Sequence, residues 1–242
     1  MLHVLSGLCF ALDNGGWNGL LSAHVEVSGV DYAGFDGAAL DSYVAAIAAA
    51  PKPKGKDQTL AFYMNAYNAL TVDLILDHQG KITSIRDLDG GQPWKKRTFV
   101  VAGEELTLDH IENGVLRPLG DPRVHAGLNC ASKGCPPLLA EAFEAATIDA
   151  QLDRAARSWV SHNAFITSKM EDELHISQIF DWYAVDFAAY ADDFDVPGVD
   201  DPKQEAALNF IRAYSGDHTR KWIESGSYTV HWWEYDWKLN AR

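Results

Sequence analysis

Asp121 to Pro137 reads DPRVHAGLNCASKGCPP, and this stretch holds two of the chain's three cysteines and three of its nine prolines. Asp121-Pro122 opens it as a turn. Val124 to Leu128 follows as a short apolar segment with the character of a strand, ending in Asn129-Cys130. A loop of small residues then closes at Cys135-Pro136-Pro137, because consecutive prolines lack amide donors and resist helix. A thiol at the end of a short strand, beside such a loop, can stand exposed on a rigid support as a nucleophile. The plainer reading is a small core residue and a turn-forming Cys-Pro pair. Spacing alone leaves both open.

The composition is 47% hydrophobic and 22% charged over 242 residues, which is ordinary globular usage with enough chain for a substantial core. The net charge of −14, from 34 acidic against 20 basic residues, argues against nucleic acid as a partner, since phosphate binding needs a basic face. It equally disfavours attachment to an anionic membrane surface. No stretch approaches the length of a membrane-spanning helix, so no membrane insertion is expected. Three cysteines make no disulfide framework at this length, although Cys130 and Cys135 can form one local bridge in an oxidising compartment. The N-terminus, MLHVLSGLCFALDNG, is apolar from Leu2 to Leu12 but lacks the basic start of a signal peptide. It reads as the remnant of a trimmed export signal or as a docking helix, which favours an exported, periplasmic location over a cytoplasmic one.

Outward from the central stretch, the longest helical pattern is Gln58 to His78, QTLAFYMNAYNALTVDLILDH. Apolar residues surround most of its circumference, which marks a buried central helix. Asn65 and Asn68 lie three apart on one face, so they either clamp a neighbouring loop or point into a site. Ala-rich Asp36 to Ala50 is a second helix, and Pro51 to Lys56 is a basic, breaker-rich loop. Arg97 to Val101 with Glu105-Leu106 reads as a hairpin around Ala102-Gly103-Glu104. Thr107 is an N-cap candidate for a helix over Leu108 to Leu116. Ile148 to His162 is an amphipathic helix, Ala164 to Thr167 with Glu173 to Ser177 a second hairpin, and Pro202 to Tyr214 a further helix. The aromatic C-terminus, YTVHWWEYDWKLN, reads as a strand. The predicted fold class is α+β, with helices packed on a small antiparallel sheet. The expected organisation is an apolar N-terminal segment, residues 1–17, and a single catalytic-type domain, residues 18–242.

FYMNAYNALTV at 62–72, SIRDL followed by Pro93-Trp94, LTLDHIENGVLRP at 106–118, the central stretch, SQIFDWYAVDF at 177–187 and YDWKLN at 235–240 together resemble the family catalogued as domain of unknown function 547. The likeness spans roughly residues 18 to 240. It implies a papain-like or transglutaminase-like thiol enzyme with a rearranged catalytic order. On that view Cys130 matches the family's cysteine, His125 its preceding histidine and Glu112 the acid of its isoleucine-glutamate pair. Asn113 stands where many members carry a further histidine, a departure that weakens any role for that position.

Thiol-based acyl transfer needs a thiolate, a base and an orienter for the base, and Cys130, His125 and Glu112 supply these types. Backbone amides from Cys130 to Ser132, assisted by the Asn129 side chain, are the expected oxyanion donors, with Asn65 and Asn68 as positioning residues. Because an odd separation along a strand puts two side chains on opposite faces, His125 reaches Cys130 only if the chain bends near Gly127 or Asn129. Without that bend, His110 or His175 is the alternative base. The expected function is a cysteine-nucleophile hydrolase or acyltransferase for an unknown peptide or small-molecule amide, isopeptide or thioester, with no cofactor and no metal. The alternatives are zinc held by His125, Cys130, Cys135 and Glu112 at non-standard spacing, a Cys130–Cys135 disulfide centre, and a binding module presenting Trp232, Trp233 and Trp237. Asp181 and Asp236, each beside aromatic rings, read as structural acceptors rather than a glycosidase pair.

Overall fold

The computed structural model describes residues 12–168, 172–190 and 193–242. Most of the apolar segment expected at the N-terminus, Cys9 included, lies outside these residues, as does most of the turn expected between Ser168 and Asp172. The chain is mixed α+β. Helices α1 (Gly15–His24) and α2 (Gly37–Ala49) pack around α3 (Lys56–Asp77), with a short hairpin of β1 (Val25–Glu26) and β2 (Gly29–Val30) after α1. On α3 nearly every residue from Leu60 to Ile75 is buried, as its all-round apolar pattern requires. After a short α4 (Pro93–Lys96), β3 (Thr98–Val101) and β4 (Glu104–Thr107) form the expected second hairpin. Its turn is two residues, Ala102-Gly103, both at positive φ, rather than the expected three.

The helix expected over Leu108 to Leu116 starts with Thr107 Oγ1 accepting from the His110 amide at 3.0 Å, as a cap should. It then widens into a π-helical segment, His110–Leu116. The expected strand at Val124 to Leu128 is instead one helical turn, α5 (Val124–Gly127). Four or five apolar residues carry too little periodicity to separate the two forms, and docking on α3 decides. A Cβ on Gly127 would collide with the Met64 and Phe143 side chains, so glycine lets α5 sit this close without moving them.

The C-terminal half contains α6 (Ile148–His162), β5 (Phe165–Ser168), β6 (Glu173–Ser177), α7 (Gln178–Trp182), α8 (Ala184–Phe187), α9 (Pro202–Tyr214), α10 (Asp217–Ser225) and β7 (Thr229–Trp233). The expected single antiparallel sheet is corrected here. Two isolated hairpins are joined by a three-stranded sheet of order β5-β6-β7, in which β6 and β7 run parallel. A parallel pair needs a long crossover, and α7 to α10 supply it. This half has its own apolar cluster, where Trp159 stacks on Phe180 at 4.6 Å and Phe187 meets Phe210 edge-on at 5.2 Å. A separate cluster surrounds α3. Beyond β7 the tail leaves the sheet and runs back beside the central loop, with Gly134 N–H donating to Asp236 O at 2.9 Å and Asn240 N–H to Ala131 O at 3.1 Å.

Candidate active site

A cavity of about 320 Å³ opens along the seam between the two clusters, lined by Tyr67 and Leu128 on one side and Ile179, Tyr183 and Tyr235 on the other. Cys130, Cys135, His125 and Glu112 all line it. The helical turn α5 replaces extended chain between His125 and Cys130 and brings both to one space, and Ala131, whose φ of 60° is left-handed, then turns the loop away. His110 and His175 do not line the cavity. His175 instead pairs with Glu173 at 2.9 Å on the sheet.

The buried asparagines hold this bend. Asn68 Nδ2 donates to Gly127 O at 2.9 Å, and its Oδ1 accepts from the Asn129 amide at 2.9 Å. Asn65 makes the same paired contact with Phe143, at 2.8 and 2.9 Å. Both are clamps, and Asn68 is the one that positions the cysteine segment. The Asn129 side chain is engaged inside the loop. Its Nδ2 donates to Pro136 O at 2.8 Å, and its Oδ1 accepts from the Ala131 amide at 2.9 Å and from Asn240 Nδ2 at 3.1 Å. Of the expected oxyanion donors, the Cys130 and Ala131 amides are already bonded, and Asn129 Nδ2 has one of its two hydrogens engaged. Ser132 is buried, with its hydroxyl 3.5 Å from Cys130 O.

Cys130 and Cys135 are joined as a disulfide, so neither is a free thiol in this state. Cys130 is half-buried at the cavity and Cys135 is buried behind it. The Tyr235 hydroxyl lies 2.9 Å from the Cys130 sulfur and 3.0 Å from that of Cys135. Gly134 makes this possible, since a Cβ there would stand 2.8 Å from the tyrosine ring. Burial pushes the Tyr235 hydroxyl pKa up, so it stays a donor at neutral pH.

The partner of His125 was not apparent in the sequence. Its Nε2 lies 2.7 Å from Asp186 Oδ2, and Arg117 grips the same carboxylate at 2.5 and 3.1 Å. Burial would raise the Asp186 pKa, but the hydrogen bonds from His125 and Arg117 outweigh it and hold the group at about 2. The ionised carboxylate accepts from Nε2–H, which leaves Nδ1 facing Glu112 Oε1 at 4.0 Å. Tyr183 stacks on the imidazole at 4.1 Å. The Tyr67 and Tyr183 hydroxyls face Glu112, and burial followed by that negative charge raises the pKa of both phenols. The π-helical segment, a distortion frequent at functional sites, presents Glu112 and Asn113 to the cavity.

The aromatic wall is completed by Trp94, Trp182 and Trp237. Asp181 binds Lys203 at 2.8 Å, and Asp236 accepts from the Lys238 amide at 3.0 Å, both through exposed contacts. Among the described residues no group of three or more His, Cys, Asp or Glu side chains is arranged to hold a metal ion. No helix among them is long and apolar enough to cross a membrane.

Residues 52–160 match the family model described as protein of unknown function, DUF547. The match is narrower than the span of the sequence likeness. It includes Glu112, His125, Cys130 and Cys135 and stops before Tyr183, Asp186 and Tyr235. No curated protein and no solved structure matches the chain.

Proposed function

We propose that this chain, whose residues 52–160 match the DUF547 family of proteins of unknown function, is a cysteine-dependent hydrolase or acyltransferase acting on amide, isopeptide or thioester bonds. The observation that supports the reading is that Cys130 shares one cavity with His125, whose ring is held from behind by Asp186. The disulfide is then the closed state, which a dithiol reductant opens by exchange, leaving two thiols. Cys130 gives its proton to His125 Nδ1, and the thiolate forms a C–S bond with the substrate carbonyl carbon. Tyr235 donates to the developing oxyanion. Collapse breaks the bond to the leaving group, which takes the proton from His125. Water or an amine then releases the acyl group and restores the thiol. Asp186 orients the imidazole, the role first given to Glu112, and Glu112 stabilises the imidazolium from the other side. A papain- or transglutaminase-like arrangement belongs to the same proposal.

The test is to treat the reduced protein with an activated ester. A burst of leaving alcohol stoichiometric with protein, and an acyl adduct confined to the Cys130 peptide, are expected. Cys130→Ala should abolish both and Cys135→Ala should retain them. A reduced wild-type protein that forms no adduct overturns the proposal.

The disulfide itself favours a second reading, a dithiol oxidoreductase in which Cys130, the more accessible sulfur, attacks a substrate disulfide and Cys135 resolves it. Turnover of a disulfide substrate with a dithiol, lost equally in Cys130→Ala and Cys135→Ala, would identify it.

A further inference from the structure

The cavity has an unusual pairing of walls and charge. Trp94, Trp182, Tyr183, Tyr235 and Trp237 line it with aromatic faces. Trp182 stacks on Trp237 at 5.8 Å and Tyr235 packs on Trp237 at 4.4 Å, so these rings form one continuous platform. Glu112 also lines the cavity, with its side chain only 13% exposed. The nearest basic side chain to it is His125, with Nδ1 at 4.0 Å, and that ring is already bonded to Asp186 through Nε2. Arg117 directs its guanidinium to Asp186 and Asn113. At the mouth, Asp109 and Lys95 are 4.0 Å apart and largely offset each other. The groups lining the space include the Glu112 carboxylate, which the Tyr67 and Tyr183 hydroxyls also face, and the aromatic rings of Trp182 and Tyr235.

That combination favours a positive group. The quadrupole of an indole or phenol attracts a cation over its face, more strongly the more both are desolvated, and a largely buried carboxylate adds to the attraction. Two of the rings already carry a cation on one face: the Arg86 guanidinium lies 4.8 Å from the centre of Trp237 and that of Arg117 lies 4.9 Å from the centre of Tyr183, whereas Trp182 and Tyr235 carry none among the described residues. The volume suits a small ligand or one side chain of a larger one. The net charge of −14 favours the approach of a cation from solution.

We infer that the cavity binds an aliphatic ammonium group, with the carbon chain against Trp182 and Trp237 and the charged nitrogen between the rings and Glu112. The inference names the substrate class of the site proposed above, and it rests on that reading only in calling the ligand a substrate. An amine-bearing substrate would place its nitrogen beside the cysteine and the histidine. Binding needs no free thiol.

The experiment therefore uses the oxidised protein, where Cys130 cannot react. Tryptophan fluorescence is titrated with n-butylammonium, n-butanol and n-butyrate, which share a chain and differ in charge. Butylammonium should bind roughly tenfold more tightly than butanol, and butyrate should bind worst. Glu112→Gln should remove the preference for butylammonium over butanol. Trp182→Ala, at a ring already 47% exposed and so no threat to folding, should weaken butylammonium and butanol together. Equal affinity for the three probes, or tightest binding of butyrate, overturns the inference, as does a preference that survives Glu112→Gln. The two proposals fail separately. Ammonium binding without acylation of the reduced protein defeats the acyl-transfer reading alone, and acylation without ammonium preference defeats this inference alone.

Discussion

His125 and Asp186, 61 residues apart in the chain, share a 2.7 Å hydrogen bond beside the candidate nucleophile. Asp186 lies on α8 and His125 on α5, and Arg117 grips the same carboxylate that His125 contacts. This one contact fixes which imidazole nitrogen can serve as a base.

Asp186 ties stability to pH in a definite direction. In the folded protein its carboxyl titrates at about 2, below the ordinary value near 3.9. Between those values the unfolded chain binds more protons than the folded one. The carboxylate therefore stabilises the fold fully above about pH 4, and that stability is lost as pH falls through about 2. Asp186→Asn should lower stability at pH 7 by about 1–3 kcal/mol. In urea unfolding the gap from wild type should narrow as the pH falls from about 4 toward 2. A gap independent of pH would contradict the ion-pair account.

The two asparagine clamps should separate by function. Asn65→Ala and Asn68→Ala each leave a buried amide and carbonyl unpaired, and each should cost about 1–3 kcal/mol or somewhat more. Asn68→Ala should also change the reactivity of reduced Cys130, because it frees the Asn129 amide. Asn65→Ala, which holds Phe143, should not. Chemical denaturation and thiol labelling of the two variants check this. Equal effects on labelling would show that Asn68 has no special hold on the loop.

Asp73 on α3 makes the opposite prediction to Asp186. Burial, then the charges of Asp77 and Asp41, raise its carboxyl to about 6. The folded protein binds the extra proton here, so stability falls as pH rises from about 4 through about 6. Asp73→Asn should raise Tm at pH 7 and lose its advantage near pH 4. Calorimetry of the pair across that range decides, and a Tm unchanged at pH 7 would contradict the shift.

Much of the frame was legible from local pattern. Gln58 to His78 reads as apolar nearly all round, and its Leu60 to Ile75 stretch is buried nearly all round; Ala102-Gly103 marks the turn of its hairpin; Ile148 to His162 shows its stripe. What escaped was decided by tertiary contact. Val124 to Gly127 is too short for its period to tell helix from strand, and the packing of Gly127 on Met64 settles it. Parallel pairing of His175 with His231 across four helices has no local signal. Asp186 and Tyr235 stood inside stretches already recognised as characteristic, SQIFDWYAVDF and YDWKLN, yet no spacing could place them on Cys130 and His125. The disulfide was legible only as an option, since five residues of separation permit a bridge without requiring one.

Closing the short Cys130–Cys135 loop should stabilise the fold by about 2 kcal/mol on chain-entropy grounds. Reduction should therefore lower Tm modestly and leave the protein folded, so that the thiols can be examined in place. Far-UV circular dichroism before and after dithiol treatment checks this, and complete unfolding on reduction would contradict it.

The central claim is that the reduced Cys130 is a thiolate supported by His125, and competitive alkylation tests it most directly. The reduced, folded protein is treated with iodoacetamide at pH 6, and the labelled peptides are quantified by mass spectrometry. An ordinary thiol is less than about 1% ionised there, whereas one paired with an imidazolium is largely ionised. The account predicts that Cys130 labels far faster than Cys135, that His125→Ala abolishes the difference, and that Asp186→Asn reduces it. Equal labelling of Cys130 and Cys135, or an advantage that survives His125→Ala, would contradict it and leave the pair as a structural disulfide.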